Sequence, residues 1–264
     1  MNLAPLLEDC LRIADEAGRA ILDVYNSDFT VTHKDDQSPL TQADLASHHR
    51  IVESLQSLVV EFPCLSEESA EIPYATRSTW QRYWLVDPLD GTKEFIKRNG
   101  EFTVNIALIE DGVPILGVVH APVLGTSYFA ARGLGAFRSR GGKREPIRCR
   151  ATPPRPVLVV SASHRDADLD RFLAHAPPHD ALSRGSSLKF CLIAEGSADL
   201  YPRTGPTSEW DTAAGQCVAE QAGASVLALP DWTPLRYNGK PSLLNPGFVV
   251  AGEPGYGWRE KLQA

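Results

Sequence analysis

Three short β-rich segments in the middle of the chain restrict the fold more than any other feature of the sequence. They are FTVNIALIE, VPILGVVHAP and TSYFAARG, and the turn-forming pairs DG and LG separate them. Runs of β-branched and aromatic residues bounded by turn residues are typical of strands joined by hairpins. The sequence therefore predicts an antiparallel meander at the centre of the chain.

Helical patterns precede this meander, and an alternating pattern follows it. Apolar residues recur at helical spacing from Leu6 to Tyr25, and LTQADLASHHRIVESLQSL predicts a second helix with Thr41 as its N-cap. After the proline-rich ATPPRPV, near residues 151 to 156, strand, helix and strand patterns succeed one another. We expect an N-terminal α+β portion, residues 1–152, and a smaller C-terminal α/β portion, residues 153–264.

Composition and charge exclude several classes of protein. The 264 residues include 43% hydrophobic and 22% charged residues, as in ordinary globular proteins, and no apolar run approaches the roughly 18 residues of a membrane span. The segment MNLAPLLEDCLRIADEAG has no basic region before its apolar residues, which favours a mature helix and a cytoplasmic protein. The net charge of -7 argues against a nucleic-acid polymer as partner.

The five cysteines are dispersed singly, at positions 10, 64, 149, 191 and 217. They form no CxxC pair and no framework of regular spacing, which indicates a reducing compartment and argues against a zinc site. The seven histidines have no evident partner in the sequence, and we interpret them as incidental to the chemistry.

The stretch WLVDPLDGTKEF places two aspartates three residues apart after an apolar run. Pro88 favours an extended Asp87 and cannot donate a hydrogen bond, so we expect the strand to end at Asp87. Gly91 can adopt a conformation closed to other residues, and TKEFIK can begin a helix whose free N–H groups bind an anion such as phosphate. Carboxylates together with a main-chain carbonyl favour Mg²⁺ or Ca²⁺. A turn without a metal explains the same residues equally well.

Two further segments offer acids. SEES places Glu67 and Glu68 on a short loop, and EWDTAAGQCVAEQAGA places Asp211 directly before a predicted helix that ends by Gly223. Taken singly, an acidic surface loop and a helix N-cap are the simpler explanations of these segments.

In combination and in this order, SEES, WLVDPLDGTKEF and EWDTAAG resemble the signature of a lithium-sensitive, magnesium-dependent phosphatase superfamily that includes inositol monophosphatases and fructose bisphosphatases. The longer run through KEFIKRNGEFTVNIALIEDGVPILGVVHAP, with GSSLKFCLIAEGSADLYPRTGP and LLNPGF, resembles the CysQ-type 3'(2'),5'-bisphosphate nucleotidases. The resemblance covers nearly the whole chain. It implies a layered α-β-α-β-α fold like that of inositol monophosphatase.

The resemblance implies a site that binds two or three Mg²⁺. Glu67, Asp87 and the carbonyl of Leu89 would hold one ion, and Asp87, Asp90 and Asp211 would hold a second. The sequence departs from the pattern of inositol phosphatases in one place. The loop reads SEES where they usually read GEES, so Ser66 must accept this backbone conformation without being a glycine.

The resemblance also implies the groups that act on the phosphate and on the attacking water. Gly91 and Thr92 would donate hydrogen bonds to the scissile phosphate, and Asp44 would pair with Thr92 beside the nucleophilic water. Glu68 would act next to the metal ligands or through a water. For Asp44, a capping box with Thr41 is an alternative.

KEFIKRNGEF after the DGT motif favours a nucleotide over an inositol phosphate as the substrate. The resemblance implies a phosphoric monoester hydrolase that converts adenosine 3',5'-bisphosphate to AMP and phosphate in sulfur assimilation, with the 5'-phosphosulfate analogue as a further candidate. Substrate contacts would come from Ser163, His164, Gly185 and Lys189 besides Glu67, Leu89, Asp90, Gly91, Thr92 and Asp211. Arg165 would line the nucleotide too, and Arg203 and Glu209 would be neighbours, although surface ion pairs are the simpler explanation of Arg203 and Glu209. For Lys189, a solvated lysine on a helix is an alternative.

Two alternative functions remain open at this point. An inositol or sugar phosphatase would share every metal ligand, and a non-catalytic nucleotide or metal sensor would keep the acids without turning over a substrate. The chain would be a monomer or a homodimer, and association with the cytoplasmic face of the inner membrane is a further possibility for a cytoplasmic protein of this kind.

Overall fold

The computed structural model describes residues 1–28, 30–33, 39–161 and 167–262, and these residues form five layers. Two helices cover one face of a first sheet, two more lie between this sheet and a second one, and two short helices cover the outer face of the second sheet. The predicted α-β-α-β-α arrangement is confirmed.

The helices of the described residues are α1 (Leu3–Tyr25), α2 (Gln42–Gln56), α3 (Tyr74–Arg77), α4 (Thr92–Ile96), α5 (Ala167–Ala174), α6 (Leu188–Ala194), α7 (Glu209–Gln221) and α8 (Trp258–Leu262), with short 3₁₀ turns at Glu67–Ser69 and Pro254–Tyr256. The strands are β1 (Val31–His33), β2 (Pro39–Thr41), β3 (Cys64–Ser66), β4 (Arg82–Asp90), β5 (Thr103–Glu110), β6 (Val113–Ala121), β7 (Thr126–Ala131), β8 (Gly135–Arg140), β9 (Lys143–Ile147), β10 (Val157–Ser161), β11 (Asp180–Arg184), β12 (Leu200–Arg203), β13 (Ser225–Ala228), β14 (Thr233–Pro234) and β15 (Phe248–Ala251). None of these helices is long and apolar enough to cross a bilayer.

Helices α1 and α2 form the first outer layer. Both begin where the sequence predicts or close to it: Asn2 caps α1 by accepting a hydrogen bond from Ala4 N, and Thr41 caps α2 in a capping box with Asp44. A continuous stripe of α1, which includes Ile13, Ala17 and Ile21, is fully buried against the first sheet. Burial of this stripe stabilises the layer, since each large aliphatic side chain contributes about 2 kcal/mol.

The first sheet has seven strands in the order β3-β4-β5-β6-β7-β8-β9. From β4 onward each strand pairs antiparallel with the next along the chain, and β3 pairs parallel with β4 at the other edge. The predicted meander is therefore confirmed. Both faces of the central strands are apolar because one lies against α1 and α2 and the other against α7.

The second sheet has six strands in the order β11-β10-β12-β15-β13-β14. On its outer face, Phe172 and Leu173 of α5 and Trp258 and Leu262 of α8 pack against Leu158 and neighbouring strand residues. The predicted strand, helix and strand pattern after residue 156 is β10, α5 and β11. The division into portions of residues 1–152 and 153–264 stays a prediction.

Helices α6 and α7 lie between the two sheets. Helix α7 approaches the first sheet so closely at Gly117 that a Cβ atom there would lie 2.5 Å from the carbonyl oxygen of Ala214. Only glycine permits this approach, which brings the start of α7 to the end of β4.

The expectation that β4 ends at Asp87 is wrong. The strand continues to Asp90 through a β-bulge: Asp87 pairs with Asn105 and Asp90 with Thr103, so Pro88 and Leu89 together face one residue of β5. Pro88 fits there because bulged residues are released from the regular ladder, so the missing N–H removes no ladder hydrogen bond.

Candidate active site

A cavity of about 280 Å³ opens at the end of β4 and brings together most of the predicted site residues. Its walls include Glu67, Asp87, Leu89, Asp90, Gly91, Thr92, Gly185, Lys189 and Asp211. Asp44 lies directly behind Thr92. Ser163, His164 and Arg165 fall outside the described residues.

The bulge in β4 is what turns both aspartates of DPLD toward this cavity. Side chains alternate between the two faces of a regular strand, so residues three apart would point to opposite faces. Here Leu85 faces the layer between the sheets, whereas Leu89, four residues later, packs in the core beneath α1 and α2. The alternation is therefore shifted by one residue, and Asp87 and Asp90 share a face.

Four of the acids that line this cavity interact electrostatically, and their charges raise the pKa values of two of them. Burial raises the pKa of Asp87 well above its usual range, and the charges of Glu67, Asp90 and Asp211 raise it further. Burial also raises the pKa of Asp211 to about 8, with additional contributions from Asp90 and Glu67. Like charges held this close are destabilising without a cation between them.

Each aspartate of this group uses one oxygen for a hydrogen bond within the protein. Asp87 Oδ1 accepts from Leu89 N at 3.0 Å, and Asp211 Oδ2 accepts from Ser208 N at 2.8 Å. Asp90 Oδ2 accepts from Ser186 Oγ and Ser187 N, both at 2.6 Å. Among the described residues, no donor contacts the second oxygen of any of the three.

The chemistry of this donor set fits a hard divalent cation. Every candidate ligand is a carboxylate or carbonyl oxygen, which is the preference of Mg²⁺ and Ca²⁺. In the described part of the chain, no group of three or more His, Cys, Asp or Glu side chains is already closed into a metal-binding cluster. These acids lie close together, as the effect of their charges on one another's pKa values indicates.

Asp211 lies within a helix, whereas the sequence suggested a position before one. Helix α7 begins at Glu209, and Ser208 is its N-cap, so Asp211 is the third helical residue and closes a capping box with Ser208. The explanation of this acid as an N-cap is therefore wrong, because the N-cap is Ser208. The capping box engages one carboxylate oxygen of Asp211 and leaves the residue on the cavity wall.

Asp44 makes the contacts of both explanations that the sequence left as alternatives. Its Oδ2 accepts from the backbone N of Thr41 at 2.8 Å and from Thr41 Oγ1 at 2.6 Å, which completes the capping box. Its Oδ1 accepts from Thr92 Oγ1 at 3.2 Å. Burial raises the pKa of Asp44, and the charge of Glu68 raises it further, so Glu68 is electrostatically close to this pair.

Gly91 has the conformation that the sequence predicts. Its φ is +96°, in the left-handed region, and α4 begins at the next residue, Thr92. The helix has only five residues, so it supplies a single turn of N–H groups beside the acids.

Two buried basic side chains also line the cavity. Lys189 is only 6% exposed, and its Nζ donates to the carbonyl oxygens of Ser186 and, at 3.5 Å, Arg184. Burial lowers the pKa of Lys189 to about 8. Arg203 lines the same wall, and its guanidinium donates to Gly205 O and Pro206 O at 3.1 and 2.9 Å. Lys189 is therefore buried, whereas a lysine on a helix is usually solvated.

Gly185 lies on the wall for a packing reason. Its N–H donates to Glu101 Oε2 at 2.8 Å, and a Cβ atom on it would lie 2.8 Å from Glu101 O. Sequence reasoning missed Ser186 and Ser187, which hold Asp90. Their only signal in the sequence is their position in GSSLK, between the predicted substrate contacts Gly185 and Lys189.

The start of α7 is fixed from behind by a buried network. Both carboxylate oxygens of Glu209 accept from Asn238 N, at 3.0 and 2.9 Å, and the fully buried Arg77 donates to Asn238 Oδ1 and to the carbonyl oxygens of Lys240 and Pro241. Arg203 reaches the cavity, whereas Glu209 is not among the residues that line it.

The interpretation of the seven histidines as incidental to the chemistry stays a prediction, but His48 has a partner next to the acids. Its Nδ1 lies 2.9 Å from Ser66 Oγ, the residue before Glu67. The neighbouring His49 is exposed. Ser66 has φ −109° and ψ 147°, an extended conformation that any residue adopts, so SEES needs no glycine at its first position.

Comparisons with known proteins agree with this architecture. The model of the inositol monophosphatase family matches residues 2–257. The chain is 53% identical to the 3'(2'),5'-bisphosphate nucleotidase CysQ of Salmonella typhimurium over 93% of this chain and 99% of that protein. It is 52% identical to the CysQ nucleotidase of Escherichia coli K12 over the same shares.

A solved structure extends the agreement to three dimensions. The crystal structure of CysQ from Bacteroides thetaiotaomicron, a bacterial member of the inositol monophosphatase family, superimposes with a TM-score of 0.85 at 41% identity, and the match covers 96% of this chain and 99% of that one. The layered fold, the site at the end of β4 and the length of these matches lead to one conclusion. This chain belongs to the inositol monophosphatase family.

Proposed function

We propose that this protein is a Mg²⁺-dependent 3'(2'),5'-bisphosphate nucleotidase that converts adenosine 3',5'-bisphosphate to AMP and phosphate, a step that recycles a product of sulfur assimilation. The single observation that carries this proposal is a cavity lined both by a group of acids and by the buried bases Lys189 and Arg203. The acids would bind one phosphate of the substrate through Mg²⁺, and the bases would bind a second phosphate. The names of the similar proteins, CysQ nucleotidases at 52 to 53% identity over 93% of the chain, support the same assignment.

Glu67, Asp87, the carbonyl of Leu89, Asp90 and Asp211 would hold the Mg²⁺ ions, two or three per site. When bound, these ions would neutralise the phosphoryl oxygens and lower the pKa of a water molecule. The protein residues would position the substrate and stabilise its charge, because phosphoryl transfer requires little covalent chemistry from the protein.

Asp44 and Thr92 would orient the attacking water. Because Thr92 Oγ1 donates its proton to Asp44 Oδ1 at 3.2 Å, its lone pairs are available to accept a hydrogen bond from a water molecule in the cavity. Glu68 would act next to the metal ligands or through a water molecule, close to Asp44, whose pKa its charge raises. The backbone N–H groups of Gly91 and Thr92 would donate to the scissile phosphate.

Lys189 and Arg203 would bind the second phosphate. A buried ammonium group that keeps its charge at neutral pH attracts an anion more strongly than a surface lysine does, because less water screens it. The dinegative 5'-phosphate of the nucleotide is an anion of this kind. A sugar monophosphate has no second phosphate that these two side chains could bind. The 5'-phosphosulfate analogue would fit the same cations as a second substrate.

Phosphate release from three substrates tests the proposal: adenosine 3',5'-bisphosphate, 3'-AMP and inositol 1-phosphate, each with Mg²⁺ and with EDTA. We expect Mg²⁺-dependent preference for the bisphosphate. Lys189→Met should raise KM for the bisphosphate about 10-fold or more and change KM for 3'-AMP little, since only the bisphosphate carries the group that Lys189 binds.

Lys261→Met, at an exposed lysine beside Tyr256, is the matched control and should change neither KM. Preference of the wild type for inositol 1-phosphate would overturn the nucleotidase assignment in favour of an inositol phosphatase. Binding of the bisphosphate without turnover would identify a sensor.

We also propose a cytoplasmic location and a small-molecule nucleotide as the partner. Light scattering distinguishes the monomer from the homodimer, and membrane fractionation tests association with the inner membrane.

A further inference from the structure

One face of α2 contacts two of the three segments that carry acids, DPLDGT and SEES. Asp44, Ser47 and His48 are three and four residues apart, so their side chains project from one side of the helix. Asp44 accepts from Thr92, Ser47 Oγ donates to Pro88 O at 2.7 Å, and His48 Nδ1 lies 2.9 Å from Ser66 Oγ. A single helix therefore holds DPLDGT at two points and SEES at a third.

Ser47 acts on the bulge itself. The side chain is fully buried, and its partner, the Pro88 carbonyl, belongs to the peptide that joins Pro88 to Leu89. The carbonyl and the N–H of a trans peptide point in opposite directions within one rigid plane. On the opposite side of this plane, Leu89 N donates to Asp87 Oδ1 at 3.0 Å. Ser47 thus fixes the plane whose other edge holds the Asp87 carboxylate.

His48 acts on the other acidic segment in a comparable way. Ser66 is fully buried and is the residue that precedes the 3₁₀ turn of Glu67 and Glu68. Its backbone lies in the parallel ladder between β3 and β4, opposite Val86, and its hydroxyl is held by His48. The direction in which the chain leaves β3 toward Glu67 is therefore tied to α2.

We propose that Ser47 and His48 are positioning residues, which set the Asp87 and Glu67 carboxylates at the separation that a shared cation requires. The proposal rests on the metal-binding role proposed above for these acids. Neither residue lines the cavity, so both act through the segments that they hold. Partners of metal ligands at one remove typically affect metal affinity about 10- to 100-fold.

Calorimetric titration of the purified, EDTA-treated protein with MgCl₂ alone tests the proposal, because binding is then measured without turnover. We expect Ser47→Ala and His48→Ala each to weaken Mg²⁺ binding about 10-fold or more. The matched controls make the same chemical changes on the same helix without reaching the acids: Ser54→Ala, and His49→Ala at the exposed neighbour of His48. Both should bind Mg²⁺ within about twofold of the wild type.

Two further variants separate positioning from general damage to the fold. Asn can place an amide group near the position of the histidine Nδ1, so His48→Asn should restore most of the affinity that His48→Ala loses. In a double-mutant cycle, Ser66→Ala should weaken binding like His48→Ala, and the double variant should be no worse than either, because the two residues form one interaction.

A thermal melt with and without Mg²⁺ completes the test. A purely structural role would lower Tm equally in EDTA and in Mg²⁺, whereas the positioning role reduces the rise in Tm that Mg²⁺ produces.

Wild-type Mg²⁺ affinity in both Ser47→Ala and His48→Ala would overturn the inference, as would a wild type that binds no Mg²⁺. Weakened binding in the variants, beside a wild type that binds Mg²⁺ but does not hydrolyse the bisphosphate, would support the inference and reject the nucleotidase function.

Discussion

At the scale of single residues, Asp44 shows how one carboxylate serves two structures. One oxygen completes the N-terminus of α2, and the other accepts from Thr92 at the cavity. The cap keeps the carboxylate in one orientation, so the hydroxyl of Thr92 is held without a separate support. A residue that stabilises a helix end thus also holds a side chain of the cavity wall.

Asp90→Asn is the most direct test at this scale. The amide can still accept from Ser187 N but cannot supply the negative charge, so we expect kcat to fall about 100-fold or more. The free energy of unfolding in EDTA should stay the same or rise, since one of four mutually repelling acids is gone. Phosphate release and urea unfolding measure the two effects.

Asp231→Asn, at an exposed acid on a turn, is the control for Asp90→Asn and should leave activity and stability unchanged. Near-normal activity of Asp90→Asn would remove Asp90 from the proposed metal site.

The acids of the site were predictable from the sequence because their motifs are local. WLVDPLDGTKEF, SEES and EWDTAAG each carry their residue types within a dozen positions. The bonds of Ser47 and His48 were not predictable, since their partners lie 41 and 18 residues away along the chain. A serine and a histidine on a helix have no signal of their own, and only the packing of α2 on the sheet gives them partners.

At the scale of secondary-structure elements, the sequence predicted the kinds of element better than their ends. Hydrophobic periodicity identified α1, α2 and the meander, and capping residues located Thr41. The end of β4 was wrong because Pro88 ends a regular strand but is tolerated in a bulge. The burial of Lys189 depends on the second sheet, which α6 meets only in the folded chain.

The contact between β6 and α1 predicts a dependence of stability on pH. His120 is buried against Gly18, where a Cβ atom would lie 2.6 Å from its Nε2, and its Nδ1 lies 2.8 Å from Ser127 Oγ. Burial lowers the pKa of His120 to about 4, and the charge of Asp15 opposes this shift only in part. The unfolded chain, with a histidine pKa near 6.5, binds the proton first as the pH falls.

This contribution of His120 is therefore complete above about pH 6.5 and is lost as the pH falls toward 4. Between pH 7.5 and 4.5 we expect the wild type to lose about 2 kcal/mol more unfolding free energy than His120→Asn. Urea unfolding at the two pH values measures this difference. His175→Asn, at an exposed histidine, should follow the wild type, and an equal pH slope in His120→Asn would contradict the assignment.

At the scale of the whole molecule, the site depends on layers that come from distant parts of the chain. Asp87 and Asp90 belong to the first sheet and Glu67 to the turn that follows β3, whereas Asp211 belongs to a helix held between the two sheets. The repulsion among these acids therefore acts across the interior of the fold. A cation that relieves it should stabilise the molecule as a whole.

We expect MgCl₂ to raise Tm relative to EDTA. A ligand at 100 times its Kd stabilises the native state by about 3 kcal/mol, which corresponds to a rise of about 5 to 10 °C for a chain of this size. Circular dichroism melts over a series of MgCl₂ concentrations measure the effect, and NaCl at matched ionic strength is the control. A Tm that responds equally to both salts would mean that screening, and not a bound ion, relieves the acids.

The bulge in β4 also determines which insertions and deletions this chain can tolerate. Removal of either Pro88 or Leu89 would restore regular pairing with β5 and would keep Asp87 and Asp90 on one face, but it would remove the peptide that joins Pro88 to Leu89. The buried Ser47 hydroxyl would lose the carbonyl that accepts its hydrogen bond, and a buried polar group without a partner costs about 1 to 3 kcal/mol. A single-residue deletion in the exposed Gly141–Gly142 turn between β8 and β9 removes no hydrogen bond of this kind. Length variation in this family of folds should thus be excluded from one strand while hairpin turns remain free to change.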